Sequence, residues 1–416
     1  MKKILVKTLS ILIFGLTLFI TVSCNKDETF TINYPNKIYV TQIEEFEAYS
    51  SKNEKLNIEI LTPELIEIIN GKLVGKSAGI AKLEVSSKKG KTETISIRVL
   101  EQPNPTSISI SVNIDNDTLL GVKYKYEIYT EPYYAKKDYE IAYDETEIEV
   151  DYENKTIEFK RSGSYDITCY SMQDVLIRSY HHFDVKLNSE VESYELLYLG
   201  NSLTKFSKYY DVPLMVYYML REFNKYTYIT VDDIANQWLD THNESFMRLI
   251  DDREYTHVVL QERSFGMLTD YNRFSTTVDK YLVYIKQNGA TPVLYETWGY
   301  VNGYNGQAVT GEYISVDKET MRDIIFEKYH EKAEEIGAEI FCSGEAFRKC
   351  EEMYPEIELY SDTNHGSTAG GFLSACVHYA TLSGRPASNT TYYPKELDEA
   401  TAKKIKEVAD IIVFGK

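Results

Sequence analysis

Residues 194–204 read Tyr-Glu-Leu-Leu-Tyr-Leu-Gly-Asn-Ser-Leu-Thr. A short apolar run, Glu195 to Leu199 at its centre and closed by a glycine, is the pattern of a strand buried on both faces. Gly200-Asn201-Ser202 then turns the chain and leaves Ser202 at the strand's C-terminal end. Far downstream stands Asp362-Thr363-Asn364-His365, a carboxylate and an imidazole three residues apart. Serine is a poor nucleophile at neutral pH until a base takes its proton and a third group orients that base. The chain supplies both halves of that requirement.

Around this run the pattern alternates between strands and helices. Strands are expected at 194–199, 225–231, 256–261, 291–296 and 338–342. Helices are expected at 209–223, 243–251, 273–288, 319–336, 344–353, 369–383 and 398–413. Such alternation implies a parallel sheet with helices on both faces. Ligands of open sheets bind beyond the strand C-termini. Ser202, Gln261 and Glu296 all fall at or just past such ends.

Residues 193–416 resemble the SGNH (GDSL-like) hydrolase superfamily. Gly200-Asn201-Ser202-Leu203-Thr204 matches its nucleophile turn, and Asp362-x-x-His365 matches its last block. The resemblance implies an α/β three-layer, flavodoxin-like domain. It also implies a serine esterase acting by a Ser-His-Asp mechanism. Ser202 would attack the acyl carbonyl, His365 would move the proton, and Asp362 would orient the imidazole. The oxyanion would be held by the backbone N–H of Ser202, at the start of a helix, with Asn236 and Gln261. The family has a glycine where this chain has Ala235 or Asn236, and an asparagine where it has Gln261. Asn enters left-handed space more readily than most residues, and glutamine offers the same donor on a longer arm. Losing one such donor costs about 3–4 kcal/mol in the barrier.

Asn201, Glu262, Glu296 and Trp298, with Tyr300, are candidates to line the substrate pocket. Singly, the catalytic residues have plainer readings: Ser202 as a helix N-cap, Asp362 as a turn cap, His365 as a surface histidine. Jointly they favour catalysis. His242, His257, His330 and His378 show no metal-ligand spacing with acids and read as structural; no metal or cofactor is expected.

Upstream, residues 24–101 and 102–192 alternate with the two-residue period of half-buried sheets. Lys55–Ile60 and Thr92–Val99 are strand candidates, and glycines at 71, 75 and 79 mark tight turns between short strands. The run Gly71-Lys72-Leu73-Val74-Gly75 through Gly79-Ile80-Ala81 resembles bacterial Ig-like domains of the group-2 type. Gly163–Tyr170 resembles the late strand of another. Gln102-Pro103-Asn104-Pro105 reads as the linker between two all-β Ig-like sandwiches, expected to act as spacers.

Residues 1–23 have a basic start, Lys2, Lys3 and Lys7, then an apolar stretch and Thr21-Val22-Ser23-Cys24. The segment resembles a lipoprotein signal peptide, with Cys24 as the lipidated residue. That implies a lipid anchor in the bacterial envelope, at the outer membrane and open to the surface. Removing residues 1–23 takes away those three lysines and no acid, which moves the formal charge from -19 to -22. So acidic a chain has no electrostatic affinity for nucleic acid. Cys169, Cys342, Cys350 and Cys376 show neither zinc spacing nor a disulfide framework and are expected as buried free thiols. The substrate expected is an acylated small molecule or glycan, with O-acetyl groups on a carbohydrate foremost. The alternative is a non-catalytic, glycan-binding or adhesin lipoprotein that retains the fold.

Overall fold

The computed structural model describes residues 29–206 and 209–415. The expected signal segment and Cys24 lie outside the described residues. The chain divides into two compact units. One runs to Val112 and includes Tyr126–Tyr143 and Ile167–His181; the other comprises Asn113–Lys125, Asp144–Asp166 and the chain from His182 onward.

In the first unit, Lys37–Tyr39, Thr92–Leu100, Gly79–Ser86 and Asn57–Ile60 form one sheet in that order. Ile43–Glu45, Lys72–Gly75 and Ile66–Ile69 form another. Alternate residues turn inward, so Ile38, Leu73, Leu83 and Ile97 close one apolar core. Asn70 and Gly71 join two of these strands at φ 50° and 81°. Positive φ at both central residues is what Asn-Gly supplies in a two-residue hairpin. The residues expected as the second sandwich are shared between the units. Ser107–Val112 pairs with residues 126–131 in the first, and Ile148–Asp151 pairs with Thr156–Phe159 in the second.

The second unit contains a five-stranded parallel sheet in the order Thr227–Asp233, Tyr194–Gly200, His257–Leu260, Thr291–Glu296, Glu339–Cys342. Numbered along the chain this is 2-1-3-4-5, the flavodoxin-like doubly wound order, whose switch point lies between the first and third strands. The Tyr194–Gly200 strand is buried throughout. Leu196 and Tyr198 face a core shared with helices Val212–Arg221, Ser343–Met353, Thr368–Ser383 and Glu399–Phe414. Leu197 and Leu199 face the opposite core, shared with Asn243–Asp252, Tyr271–Asn288 and Lys318–Ile336. Every expected strand and helix of this unit is therefore present, in three layers. Arg161 forks onto the buried Glu195 with contacts of 2.6–3.0 Å, fixing the start of the Tyr194–Gly200 strand.

Two local features differ from expectation. Ser202 does not open a helix. Asn201–Thr204 form a turn, with Thr204 N–H donating to the Asn201 carbonyl at 2.9 Å. A short hairpin of Lys205–Phe206 with Tyr210–Asp211 follows, and the helix starts only at Val212. Pro213 and the Asp211 cap, which accepts from Leu214 N–H, fix that start. A second hairpin, Tyr304–Gln307 with Tyr313–Val316, interrupts the connection after the fourth strand. Among the described residues, no helix is long and apolar enough to cross a membrane.

Candidate active site

The turn that holds Ser202 is built from inside. Gly200 has no side chain because a Cβ there would lie 2.2 Å from Thr204 Oγ1 and 2.8 Å from Gln261 Oε1. That space lets Gln261 Oε1 accept from Asn201 N–H at 2.8 Å and from the Thr204 hydroxyl at 2.9 Å. Asn201 Oδ1 accepts from Leu203 N–H at 3.1 Å, and its Nδ2 donates to the Gln237 carbonyl at 3.1 Å. From the other side the Tyr210 hydroxyl donates to the Ser202 carbonyl at 2.8 Å. Tyr210 packs on Gly371, where a Cβ would lie 2.3 Å from its own.

The Asp362–His365 segment closes over this turn. His365 Nε2 lies 3.0 Å from Ser202 Oγ, and His365 Nδ1 lies 2.8 Å from Asp362 Oδ2. Asp362 Oδ1 accepts from the backbone N–H groups of Asn364 and His365 at 2.9 and 2.7 Å. Partial burial is the largest influence on this carboxyl and would raise its pKa. The two backbone donors and the imidazole more than offset it, and the net shift is downward. Phe206 stacks flat on the imidazole, centroids 3.8 Å apart and planes within 2°. Trp298 Nε1 donates to the Asn364 carbonyl at 2.9 Å, and Val301 N–H donates to the Thr363 carbonyl at 2.9 Å. Ser367 then caps the helix Thr368–Ser383.

Ser202 and His365 share a cleft of about 100 Å³ with Asn201, Asn236, Arg263 and Tyr300. A larger cavity of about 400 Å³, lined by Asp184, Arg253 and Asn288 among others, does not include Ser202, Asp362 or His365. Asn236 stands in left-handed space at φ 62°, which asparagine enters more readily than most residues.

The remaining site candidates are placed differently from the sequence reading. Gln261 is 1% exposed and forms no part of the cleft wall. Its oxygen braces the Ser202 turn and its Nε2 donates to the Glu262 carbonyl. Glu262 is also internal: its carboxylate accepts from Leu239 N–H at 3.0 Å and Arg263 N–H at 2.7 Å. Burial pushes this carboxyl up to about 7. Trp298 is buried against Phe347, centroids 4.3 Å apart, and positions the histidine loop without reaching the cleft. Glu296 is buried away from Ser202 and faces His330 and Cys342. His330, read as structural, thus joins a cluster that its sequence position concealed.

Sequence reasoning missed Arg263. Its guanidinium donates to the Asn236 carbonyl at 3.2 Å and to the Asn236 side-chain oxygen, and it lies over the Phe265 ring at 4.4 Å. Its one signal was a cation two residues beyond a strand end that points to the switch point.

No known family profile matches the chain, and no curated protein matches it. Among solved structures it is similar to a DUF4886 family protein from Bacteroides uniformis. That match has 15% identity and a TM-score of 0.45, and covers 54% of this chain and 96% of the other. It is also similar to a putative SGNH hydrolase from Slackia heliotrinireducens, at 26% identity, 46% and 100% coverage and a TM-score of 0.39. An acetyl xylan esterase from Geobacillus stearothermophilus matches at 15% identity, 46% and 96% coverage and a TM-score of 0.35.

Proposed function

We propose that the chain is a serine esterase of SGNH type that removes short acyl groups, acetyl foremost, from a carbohydrate. The observation that carries the reading is the unbroken relay Ser202 Oγ–His365 Nε2 at 3.0 Å and His365 Nδ1–Asp362 Oδ2 at 2.8 Å, opening onto a cleft. In the reaction Ser202 Oγ bonds to the acyl carbon while its proton passes to His365 Nε2. The C–O bond to the alcohol breaks, and the alcohol leaves with that proton. Water then attacks the acyl-serine, giving its proton to His365, and the acid and free Ser202 are restored. Asp362 stabilises the imidazolium in both steps.

The charge on the carbonyl oxygen is met by Arg263, with the backbone N–H groups of Ser202 and Asn236 beside it. A cleft of about 100 Å³ is small beside the ~300–1,000 Å³ of drug-sized ligand sites, which favours a short acyl group. Its amide and guanidinium walls suit a polyhydroxylated alcohol better than an aliphatic one. The proposal includes a lipid on Cys24 and the two Ig-like β-rich segments as spacers between an outer-membrane anchor and the catalytic unit.

The test is turnover of p-nitrophenyl acetate and of acetylated xylooligosaccharide by the full chain. Wild type releases acetate and Ser202→Ala does not. Equal slowness of the two proteins on both substrates refutes the reading. Radiolabelled palmitate incorporated by wild type and not by Cys24→Ala checks the anchor.

A further inference from the structure

Glu296 and Cys342 end neighbouring parallel strands and are direct register partners. His330 reaches them from the helix Lys318–Ile336. Glu296 Oε2 lies 3.4 Å from His330 Nε2, and Cys342 Sγ lies 3.9 Å from the same nitrogen. The three donor atoms all fall within 4.8 Å of one another. We propose that Glu296, His330 and Cys342 bind one zinc-like divalent transition-metal ion, with water in the fourth position, at a site separate from the esterase triad.

Geometry is the first argument. A separation of 3.4 Å is long for an N–H···O bond, which prefers ~2.7–3.2 Å. It is the length expected for the edge of a coordination tetrahedron. Bonds of ~2.1 Å to oxygen and ~2.05 Å to nitrogen give an edge of roughly 3.4 Å, and ~2.3 Å to sulfur gives roughly 3.6 Å between sulfur and nitrogen. The observed 3.9 Å between Cys342 Sγ and His330 Nε2 is within about 0.3 Å of that second edge.

Donor chemistry is the second argument. Thiolate with imidazole selects zinc and its neighbours over magnesium or calcium, which take oxygen donors. Support around the donors is the third. The second carboxylate oxygen of Glu296 accepts from Glu345 N–H at 3.1 Å, which fixes the group's orientation. Phe326 stacks on the His330 ring with centroids 4.0 Å apart. The Glu296 side chain is 2% exposed and that of His330 is 35% exposed, so one side of the cluster is anchored and the other open to an entering ion. Three protein donors with an open position is the arrangement of a zinc site that retains a water.

Cobalt(II) provides the test, because it occupies zinc sites and reports its ligands by colour. The full chain is stripped with chelator and titrated with Co²⁺, then with Zn²⁺. One equivalent of Co²⁺ should give a thiolate-to-metal charge-transfer band and the intense visible bands of a tetrahedral ion, and one equivalent of Zn²⁺ should abolish both. Cys342→Ser should lose the charge-transfer band, while Cys350→Ser and Ser202→Ala keep it. His330→Ala should weaken Zn²⁺ binding more than about 100-fold, since even outer partners of metal ligands are worth 10–100-fold. Circular dichroism of each variant shows that it is folded, and Cys342→Ser changes only one atom. A weak octahedral spectrum in wild type, or a charge-transfer band that survives in Cys342→Ser, overturns the proposal. Neither result bears on Ser202, so the esterase reading stands or falls separately.

Discussion

Replacing Arg263 by methionine keeps the length of the side chain and removes its charge and donors. If the guanidinium meets the developing oxyanion, the loss should resemble removal of one oxyanion-hole donor, about 10²–10³-fold in kcat, or ~2.7–4 kcal/mol. The loss should fall on kcat with KM little changed, because the interaction forms only as charge develops. Stability should move far less. Hydrogen bonds to charged groups are worth ~1.5–3 kcal/mol when well shielded. Arg263 is only partly buried and its guanidinium hydrogen-bonds to Asn236, so solvent leaves about 1 kcal/mol of that. For a unit of this size that is a Tm shift of about 2–4 °C. Arg263→Lys should fall between the two proteins, since lysine restores a charge but cannot fork onto both Asn236 oxygens. The assay is steady-state hydrolysis of p-nitrophenyl acetate, with thermal unfolding of the same samples. If Arg263→Met retains kcat within about threefold of wild type while Ser202→Ala is inert, Arg263 is only a wall of the cleft and the backbone alone holds the oxyanion.

Asp362→Asn should lower kcat about 10⁴-fold by presenting the wrong imidazole tautomer, measured against Ser202→Ala as the floor. Because the Asp362 carboxyl sits below its ordinary value of 3.8, its stabilising contribution is complete above that value. It is lost only as pH falls through the lower folded value, so acid unfolding of the asparagine variant should show a shallower acid limb. Glu262 has the opposite sign. Its carboxyl rises from 4.5 to about 7, so the folded state holds the proton more tightly and stability falls as pH rises through that window. At ~1.36 kcal/mol per unit the fall is on the order of 3 kcal/mol. Urea unfolding at about pH 5 and about pH 8 should show it in wild type and not in Glu262→Gln. Phe206→Ala removes the ring stacked on His365 and should cost 10- to 100-fold in kcat through misplacement of the base, with KM unchanged. Unaltered kcat in that variant would assign the imidazole's orientation to Asp362 alone.

The three-layer unit was legible because its signals are local. Leu196 to Leu199 form an unbroken apolar run, and strands that alternate with helices leave a parallel sheet as the economical arrangement. The Asp362–His365 pairing was legible for a related reason. With two residues between them, Asp362 ties its own loop through Oδ1 and still presents Oδ2 to the ring, so the motif is a folding unit in itself. What escaped depends on orientation or on distance along the chain. Trp298 follows a strand end, and nothing local tells a buried indole from an exposed one; Phe347, 49 positions on, decides it. Glu296, His330 and Cys342 meet across separations of 34 and 12 residues, which no spacing rule captures. The hairpin at 304–316 is polar and glycine-punctuated, so it reads as loop.

Gln261 shows most clearly why residue type does not fix role. A side-chain amide has one acceptor oxygen and one donor nitrogen, and at 1% exposure both must be satisfied within the protein. The oxygen is committed twice, to Asn201 N–H and the Thr204 hydroxyl, and the nitrogen to the Glu262 carbonyl. Turning the amide toward the cleft would strand two buried donors, at about 1–3 kcal/mol each. A cost of that size cancels the ~2.7–4 kcal/mol that one oxyanion donor contributes. It would also release the turn that aims Ser202. The glutamine arm therefore serves the turn that carries Ser202. In the proposed reaction the oxyanion is then met by Arg263, two residues on, whose guanidinium donates to Asn236 and lines the same cleft as Ser202.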